Sequence, residues 1–345
     1  MHEEENQMKA TRVYEQGAPE NVKIEDVPQP EPTSMQVVVK VAAVGLCGHD
    51  QSDRNGLTRP HVGIPFTIGH EVAGTVVAVG DKVTGFAIGD RVATKQQTHC
   101  GECTNCRIGR EIQCEQGRKF NYGGWAEYVA LPVPGLLKVP ENIDLKDAAT
   151  IACTVGTTLN ALRNVGQVMP GENVLITGAG GGLGLHGMQV AKALGGRAIA
   201  VTSSPSKVDQ LRAAGADEVV VAQGKDYWEE IVKVTDGGPQ VVLDNVGHPD
   251  LFSPIFRSLA RNARYVFTGQ VYRQKIDLYP AFLFGKETQI RGAGPGNMAD
   301  FADSLQLVSE GKVKSIIDPM ALDDVVEANR RLDASSFFGR GVLIP

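Results

Sequence analysis

The sequence predicts an α/β chain in two parts, a β-rich domain and a doubly wound parallel sheet covered by helices. Three observations carry this. Short β-branched runs separated by turn dipeptides fill the first third. Strand-like and helix-like stretches alternate from about residue 155 onwards. A glycine-rich turn, Gly178-Ala179-Gly180-Gly181-Gly182-Leu183-Gly184, follows the first of those later strands directly.

In the first part, Met35 to Val44 is dominated by β-branched residues, and apolar runs recur at Val72 to Val79 and Tyr128 to Val133. Pro28-Gln29-Pro30, Gly80-Asp81 and Gly89-Asp90 punctuate them. In the second part, Val174-Leu175-Ile176-Thr177 has the continuous apolar character of a buried parallel strand. A helix follows the glycine turn, because Gly187, Val190, Ala191 and Leu194 fall on one helical face. Further strands are expected at Ala198 to Val201, Glu218 to Val221, Val241 to Asp244 and Arg264 to Thr268. Helices are expected around Ser206 to Ala214, Tyr227 to Val234 and Leu251 to Leu259. The last ~50 residues mix helix and strand and return to the first domain by the same pattern. The expected domains are therefore 1–154 with 296–345, and 155–295.

Composition narrows the function classes. A net charge of -6 without a basic run argues against nucleic acid as a partner. Met1 to Ala10 is acidic and lacks the apolar core of a signal peptide. No stretch approaches the ~18 apolar residues of a membrane span. A cytoplasmic protein with no membrane partner is expected. Four of the six cysteines lie between positions 100 and 114, and in a reducing compartment such a cluster points to metal more than to disulfides.

Cys100-Gly-Glu-Cys103-Thr-Asn-Cys106 is followed seven residues later by Cys114. Tight CxxC steps bring thiolates onto one ion, and four sulfurs close a tetrahedral zinc shell. A closed shell has no open position, so this metal organises the lobe at 95–115 and does no chemistry. An iron–sulfur cluster is the other occupant that four thiolates suit.

The other two cysteines stand in Gly45-Leu46-Cys47-Gly48-His49-Asp50 and Ala152-Cys153-Thr154-Val155-Gly156-Thr157, with Gly69-His70-Glu71 between them. Two thiolates and one imidazole make a zinc site with its fourth position open, a set established for alcohol dehydrogenase. Gly69-His70-Glu71-x-x-Gly74-x5-Gly80-x-x-Val83, together with the four-cysteine spacing, makes the resemblance plain. Over essentially its whole length the chain resembles a zinc-containing medium-chain alcohol dehydrogenase.

That resemblance implies a GroES-like catalytic domain and a Rossmann dinucleotide-binding domain. It implies two zinc ions per chain, with Cys47, His70 and Cys153 as ligands of the catalytic one and Glu71 as a carboxylate able to swing onto it. Asp50 would fix the His70 tautomer. Hydride would pass between an alcohol, aldehyde or ketone substrate and a nicotinamide cofactor. The family's dimers and tetramers imply a homo-oligomer. One departure stands out. Many relatives have Ser or Thr two residues after the first zinc cysteine, to start a proton relay, whereas this chain has His49. His49 either relays the proton itself or hydrogen-bonds a polar substrate group. Ser52 lies near a position where some relatives carry a relay histidine. Gln96 replaces a bulky aromatic of the substrate pocket, so a polar pocket is expected, with Trp125 and His61 as further candidate lining.

For the cofactor, Ala179-x-Gly181-Gly182-x-Gly184 resembles the turn of many medium-chain reductases, and Gly181, Gly182, Leu183 and Gly184 are expected at the pyrophosphate. An acidic residue at the end of the second strand would mark NAD. Here Thr202-Ser203-Ser204-Pro205-Ser206-Lys207 offers hydroxyls and a lysine and no carboxylate, so NADP is favoured over NAD, with Thr202, Ser203 and Lys207 as expected cofactor contacts; Lys207 discriminates poorly, because NAD-using relatives can carry a lysine nearby. By resemblance, Thr157 contacts the nicotinamide half, Val246, Thr268 and Gly269 line the same end through backbone atoms, and Arg340 reaches the pyrophosphate. Two alternatives remain beside the carbonyl reaction: a zinc-containing reductase of enoyl thioesters, acryloyl-CoA-like, and a cofactor-binding homologue without turnover.

Overall fold

The computed structural model describes residues 7–58, 63–224, 226–270 and 274–345. The chain divides into two compact units, Met1–Cys153 with Asn297–Ser309 and Ile317–Pro345, and Thr154–Gly296 with Glu310–Ile316. The sequence boundaries keep 310–316 in the first domain. Side chains of the second unit explain its assignment there. Gln189 binds both the N–H (2.7 Å) and the carbonyl (2.9 Å) of Lys314, and His186 Nε2 accepts from Ile316 N–H at 3.2 Å.

The first unit is built on a seven-stranded sheet. Along its main path run Ile317–Ala321, Arg340–Ile344, Gln36–Gly45, Val72–Val79, Arg91–Thr94 and Leu136–Lys138, and Tyr128–Pro132 also pairs with Gln36–Gly45. The C-terminal pair is parallel and the remaining pairings are antiparallel. Val37, Val39, Val41, Val72 and Val76 pack with Ile68, Phe66 and Trp125 into one apolar core. Valine and isoleucine suit a pleated, half-buried surface.

The second unit holds a six-stranded parallel sheet. Numbered in chain order within the sheet, its strands run 3-2-1-4-5-6, and they are Asn173–Ile176, Arg197–Thr202, Glu218–Val221, Val241–Asp244, Arg264–Phe267 and Gln289–Gly292. Val174, Leu175, Ile176, Val241, Val242 and Leu243 are fully buried, as helices on both faces require. The helix Gly182–Ala193 lies close against the first strand. A Cβ on Gly184 would stand 2.3 Å from the Gly178 carbonyl oxygen, so only glycine permits that approach. Among the described residues, no helix is long and apolar enough to cross a membrane.

Candidate active site

Three separate elements bring the open-site residues together in the first unit. Cys47 caps the short helix Gly48–Arg54, and its N–H donates to Asp50 Oδ2 at 2.9 Å. His70 and Glu71 immediately precede the strand Val72–Val79. Cys153 lies in a π-helical turn, Ala152–Gly156, a widened turn of the kind found often at functional sites. One donor atom from each of Cys47, His70, Glu71 and Cys153 falls within 4.8 Å of the others.

Two observations test whether this donor set suits zinc. Thiolates bound at about 2.3 Å to one tetrahedral zinc stand roughly 3.8 Å apart; the Cys47 and Cys153 sulfurs are 3.9 Å apart. Both carboxylate oxygens of Glu71 are buried without a hydrogen-bond partner. A Cβ on Gly45 would come within 2.2 Å of Glu71 Oε2, so the glycine leaves room for that carboxylate. The set fits a zinc ion.

Electrostatics follow from burial and partners. Burial raises the Glu71 carboxyl to about 7, although the Arg340 guanidinium pulls the other way. Cys153 donates to Cys47, which holds the Cys47 thiol well below its usual range and its partner above it. Burial opposes a charged His70, but Asp50 outweighs it and raises the ring. The geometry shows how: Asp50, fully buried, faces His70 Nδ1 at 2.9 Å through Oδ1 while its other oxygen caps the Cys47 helix. One carboxylate thus orients two of the donors.

His49 lies beside this cluster. Its ring stacks on Phe120 at 3.9 Å between centroids and meets His70 edge-on at 5.8 Å. Its Nε2 is 3.4 Å from Oδ2 of Asp53, a fully buried carboxylate that also accepts from the Tyr122 hydroxyl at 2.6 Å and from Thr58. No motif in the sequence marks Asp53, Phe120 or Tyr122. Asp53 was within reach, because it stands one helical turn after His49.

Other expectations meet different surroundings. Ser52 turns its hydroxyl back onto the Gly48 carbonyl, 3.0 Å away, as serines in helices do, and so stands outside the cluster. Arg340, expected at a pyrophosphate, is buried among the donors. It donates to the Leu46 carbonyl at 3.1 Å, lies 3.6 Å from the Cys153 sulfur, and places Nε 3.4 Å from Glu71. A buried guanidinium needs acceptors, and these residues supply them. Trp125 is fully buried in the core with its indole N–H toward the Gly45 carbonyl. Gln96 is buried and donates to the Ala152 carbonyl at 3.1 Å. His61 lies outside the described residues.

The four-cysteine lobe also comes together. Cys100, Cys103, Cys106 and Cys114 offer sulfurs within 4.8 Å of one another, with Cys100 and Cys106 3.7 Å apart. All six cysteines are free of disulfides. Glu111, between the last two of the four, pairs with buried Lys95 and accepts from Met298 N–H at 3.1 Å, tying the lobe to the helix Met298–Ser309.

In the second unit, Gly181 is the N-cap of Gly182–Ala193, and no side chain caps the first N–H groups of the helix, which include those of Gly182, Leu183 and Gly184. After the second strand, Thr202 Oγ1 accepts from Ser204 N–H at 3.1 Å and the Ser204 and Ser206 hydroxyls pair at 2.9 Å. Ser203 is exposed, and Lys207 ends the short turn Pro205–Lys207. Thr157 is buried in its own unit, and Val246, Thr268 and Gly269 are half-buried at the ends of two adjacent strands.

Known proteins resemble this chain along most of its length. Residues 33–141 match the family described as alcohol dehydrogenase GroES-like domain, and 182–310 match zinc-binding dehydrogenase. The chain is 34% identical to an NAD-dependent alcohol dehydrogenase of Sulfurisphaera tokodaii, over 98% of this chain and all of that one. It is 33% identical to an acryloyl-coenzyme A reductase of the same organism, over 95% and 98% of the two chains. The crystal structure of AibC superposes with a TM-score of 0.91 at 37% identity, covering 99% of this chain and 97% of that one. With the GroES-like and parallel-sheet units both in place, this chain belongs to the zinc-type alcohol dehydrogenases of the medium-chain dehydrogenase/reductase superfamily.

Proposed function

We propose that the protein is a zinc-dependent, nicotinamide-using oxidoreductase that interconverts an alcohol with its aldehyde or ketone. The carrying observation is the convergence of Cys47, His70 and Cys153 with the buried carboxylate of Glu71. Bound zinc would supply Lewis-acid polarisation of the substrate oxygen. The chain's residues do the rest. Asp50 holds His70 in the tautomer whose Nε2 faces the donors. Arg340 balances the buried negative charge of Cys47 and Glu71. His49, held between Phe120 and Asp53, stands where it can take a substrate proton or hydrogen-bond a polar group. Two zinc ions per chain are proposed, the second in the four-cysteine lobe.

The glycine turn would hold the cofactor's pyrophosphate on the N-terminus of Gly182–Ala193, and Thr157, Val246, Thr268 and Gly269 would face the nicotinamide end. NADP is favoured over NAD, since among the described residues no carboxylate is bonded into the turn after Thr202 to repel a 2′-phosphate. A relative named NAD-dependent makes this the first point to measure. A cytoplasmic homo-oligomer, dimer or tetramer, completes the proposal. The exposed Tyr279, Phe282 and Phe284, with Ile290 on the edge strand Gln289–Gly292, support the assembly.

The test is a panel of alcohols, aldehydes and ketones assayed with NAD(P) of both kinds, for wild type and Cys47→Ala. Carbonyl reduction that survives Cys47→Ala, with the zinc beside it lost, would overturn the reading. A second reading, reduction of an enoyl thioester, is favoured by the likeness to an acryloyl-coenzyme A reductase. Enoyl-CoA turnover without carbonyl turnover would select it. Cofactor binding with no turnover of either class would leave a non-catalytic homologue.

A further inference from the structure

We infer that Asp244 is a positioning residue for the nicotinamide end of the cofactor, acting through the two loops it ties together. The inference rests on the reading in which Val246, Thr268 and Gly269 line that end.

Asp244 ends the fourth strand of the parallel sheet and is fully buried. Its Oδ1 accepts from the Thr177 hydroxyl at 2.7 Å and from the N–H groups of Val246 and Gly247, each at 3.0 Å. Its Oδ2 accepts from the Tyr265 hydroxyl at 2.7 Å. Its two oxygens together accept from four donors, three on Oδ1 and one on Oδ2. Among the described residues, no lysine or arginine pairs with it. A buried carboxylate without a counter-cation is a poor stabilising device, because desolvation outweighs much of what it gains. Its value lies in what it orders.

What it orders is the topological switch point. The strand order reverses at the first strand, so the first and fourth strands are neighbours whose following loops diverge. Open α/β sheets bind their ligands outside the carboxyl ends of the strands at that place. Thr177 follows the first strand and Asp244 ends the fourth, so their hydrogen bond lies on the switch point itself. The network reaches further. Asn245 N–H donates to Thr177 Oγ1 at 3.0 Å, and its side-chain amide donates to the Thr177 carbonyl at 2.9 Å. Thr268, after the fifth strand, donates its N–H to the Asp244 carbonyl at 2.9 Å and its hydroxyl to Asn245 Oδ1 at 2.6 Å. Loops after three adjacent strands are thereby held in one arrangement. By drawing the Val246 and Gly247 N–H groups inward, Asp244 sets which backbone atoms of 245–247 face outward.

The experiment measures binding, independently of turnover. The full chain is titrated with NADPH and NADH by protein fluorescence, and with ADP-ribose and its 2′-phosphate, which lack the nicotinamide, by calorimetry. Asp244→Asn should weaken the dinucleotides at least tenfold and leave the nicotinamide-free fragments within twofold. Tyr265→Phe and Thr177→Val, each removing one donor, should show the same split at threefold or more. They carry the test if Asp244→Asn does not fold. Metal content should not change in any of the variants. Equal weakening of dinucleotide and fragment would show a general loss of structure and overturn the inference. Dinucleotide affinity unchanged in folded variants would overturn it too, while leaving the oxidoreductase reading intact. A wild-type chain that binds the fragments and dinucleotides not at all would overturn both.

Discussion

His49 Nε2 faces Asp53 Oδ2 across 3.4 Å, one helical turn apart, and Asp53 is closed off from solvent by Tyr122 and Thr58. A carboxylate in that position keeps the N–H on Nε2 and leaves Nδ1 as an acceptor, as orienting carboxylates do for histidines elsewhere. His49→Ala should lower kcat by about 10²-fold, the lower end of what a positioned acid–base group contributes. Asp53→Asn should lose about tenfold by misorienting the same ring. Zinc content should match wild type in both. Steady-state kinetics with metal analysis checks this, and an unchanged kcat in His49→Ala would remove the ring from the reaction.

Asp50 serves His70 and the Cys47 helix together, so its loss should be felt at the metal before the fold. Asp50→Ala should weaken zinc binding at the open site by roughly 10- to 100-fold, the range known for groups that orient metal-bound histidines. A chelator competition that follows loss of one zinc per chain provides the measurement. The four-cysteine lobe should keep its metal in that variant.

Removing a lobe sulfur should do the opposite. Cys106→Ser should take one zinc from each chain while the open-site metal stays. Because Glu111 in the same lobe is bonded to Lys95 and to Met298 N–H, the loosened lobe should also release the helix Met298–Ser309. Loss of a structural metal belongs with the severe destabilisations, roughly 4 kcal/mol or more. Thermal melting and hydrogen exchange across 298–309 would register it. Full protection of that helix in the variant would count against the coupling.

In the second unit, Arg264 grips Glu172 with two hydrogen bonds, at 2.9 and 2.5 Å, and holds the Gly166 carbonyl with Nε. Burial alone would raise the Glu172 carboxyl, but Arg264 and the Met169 N–H bring it below its ordinary 4.5. A carboxyl lowered in the folded state stabilises fully above its unfolded value, and the contribution is lost as pH falls through the folded one. Glu172→Gln should therefore cost about 1–3 kcal/mol at neutral pH, the range for hydrogen bonds to charged groups. Its deficit against wild type should shrink as pH drops below 4.5. Urea unfolding at neutral and acidic pH tests the sign; a deficit that grows on acidification would refute it.

Much of the site was legible in the sequence because metal chemistry constrains residue type and spacing at once. The Cys100 to Cys114 lobe and the Gly69-His70-Glu71 motif announce themselves locally, and the parallel sheet shows as apolar runs that alternate with helical periods. Strand placements at 218–221 and 241–244 follow from those apolar runs, and 241–244 is buried throughout. The partners of those residues were not legible. Arg340 joins the donors because the strand Arg340–Ile344 pairs with Gln36–Gly45, a contact spanning nearly the whole chain. Asp53 reads as a surface helix residue until Tyr122 closes over it. Asp244 reads as the polar end of a strand until Tyr265 and Thr177 surround it. Residue types and local spacing that suit a metal are properties of the chain itself, so they can be read without the fold. Which buried charge meets which partner depends on long-range strand order, and only the folded chain decides that.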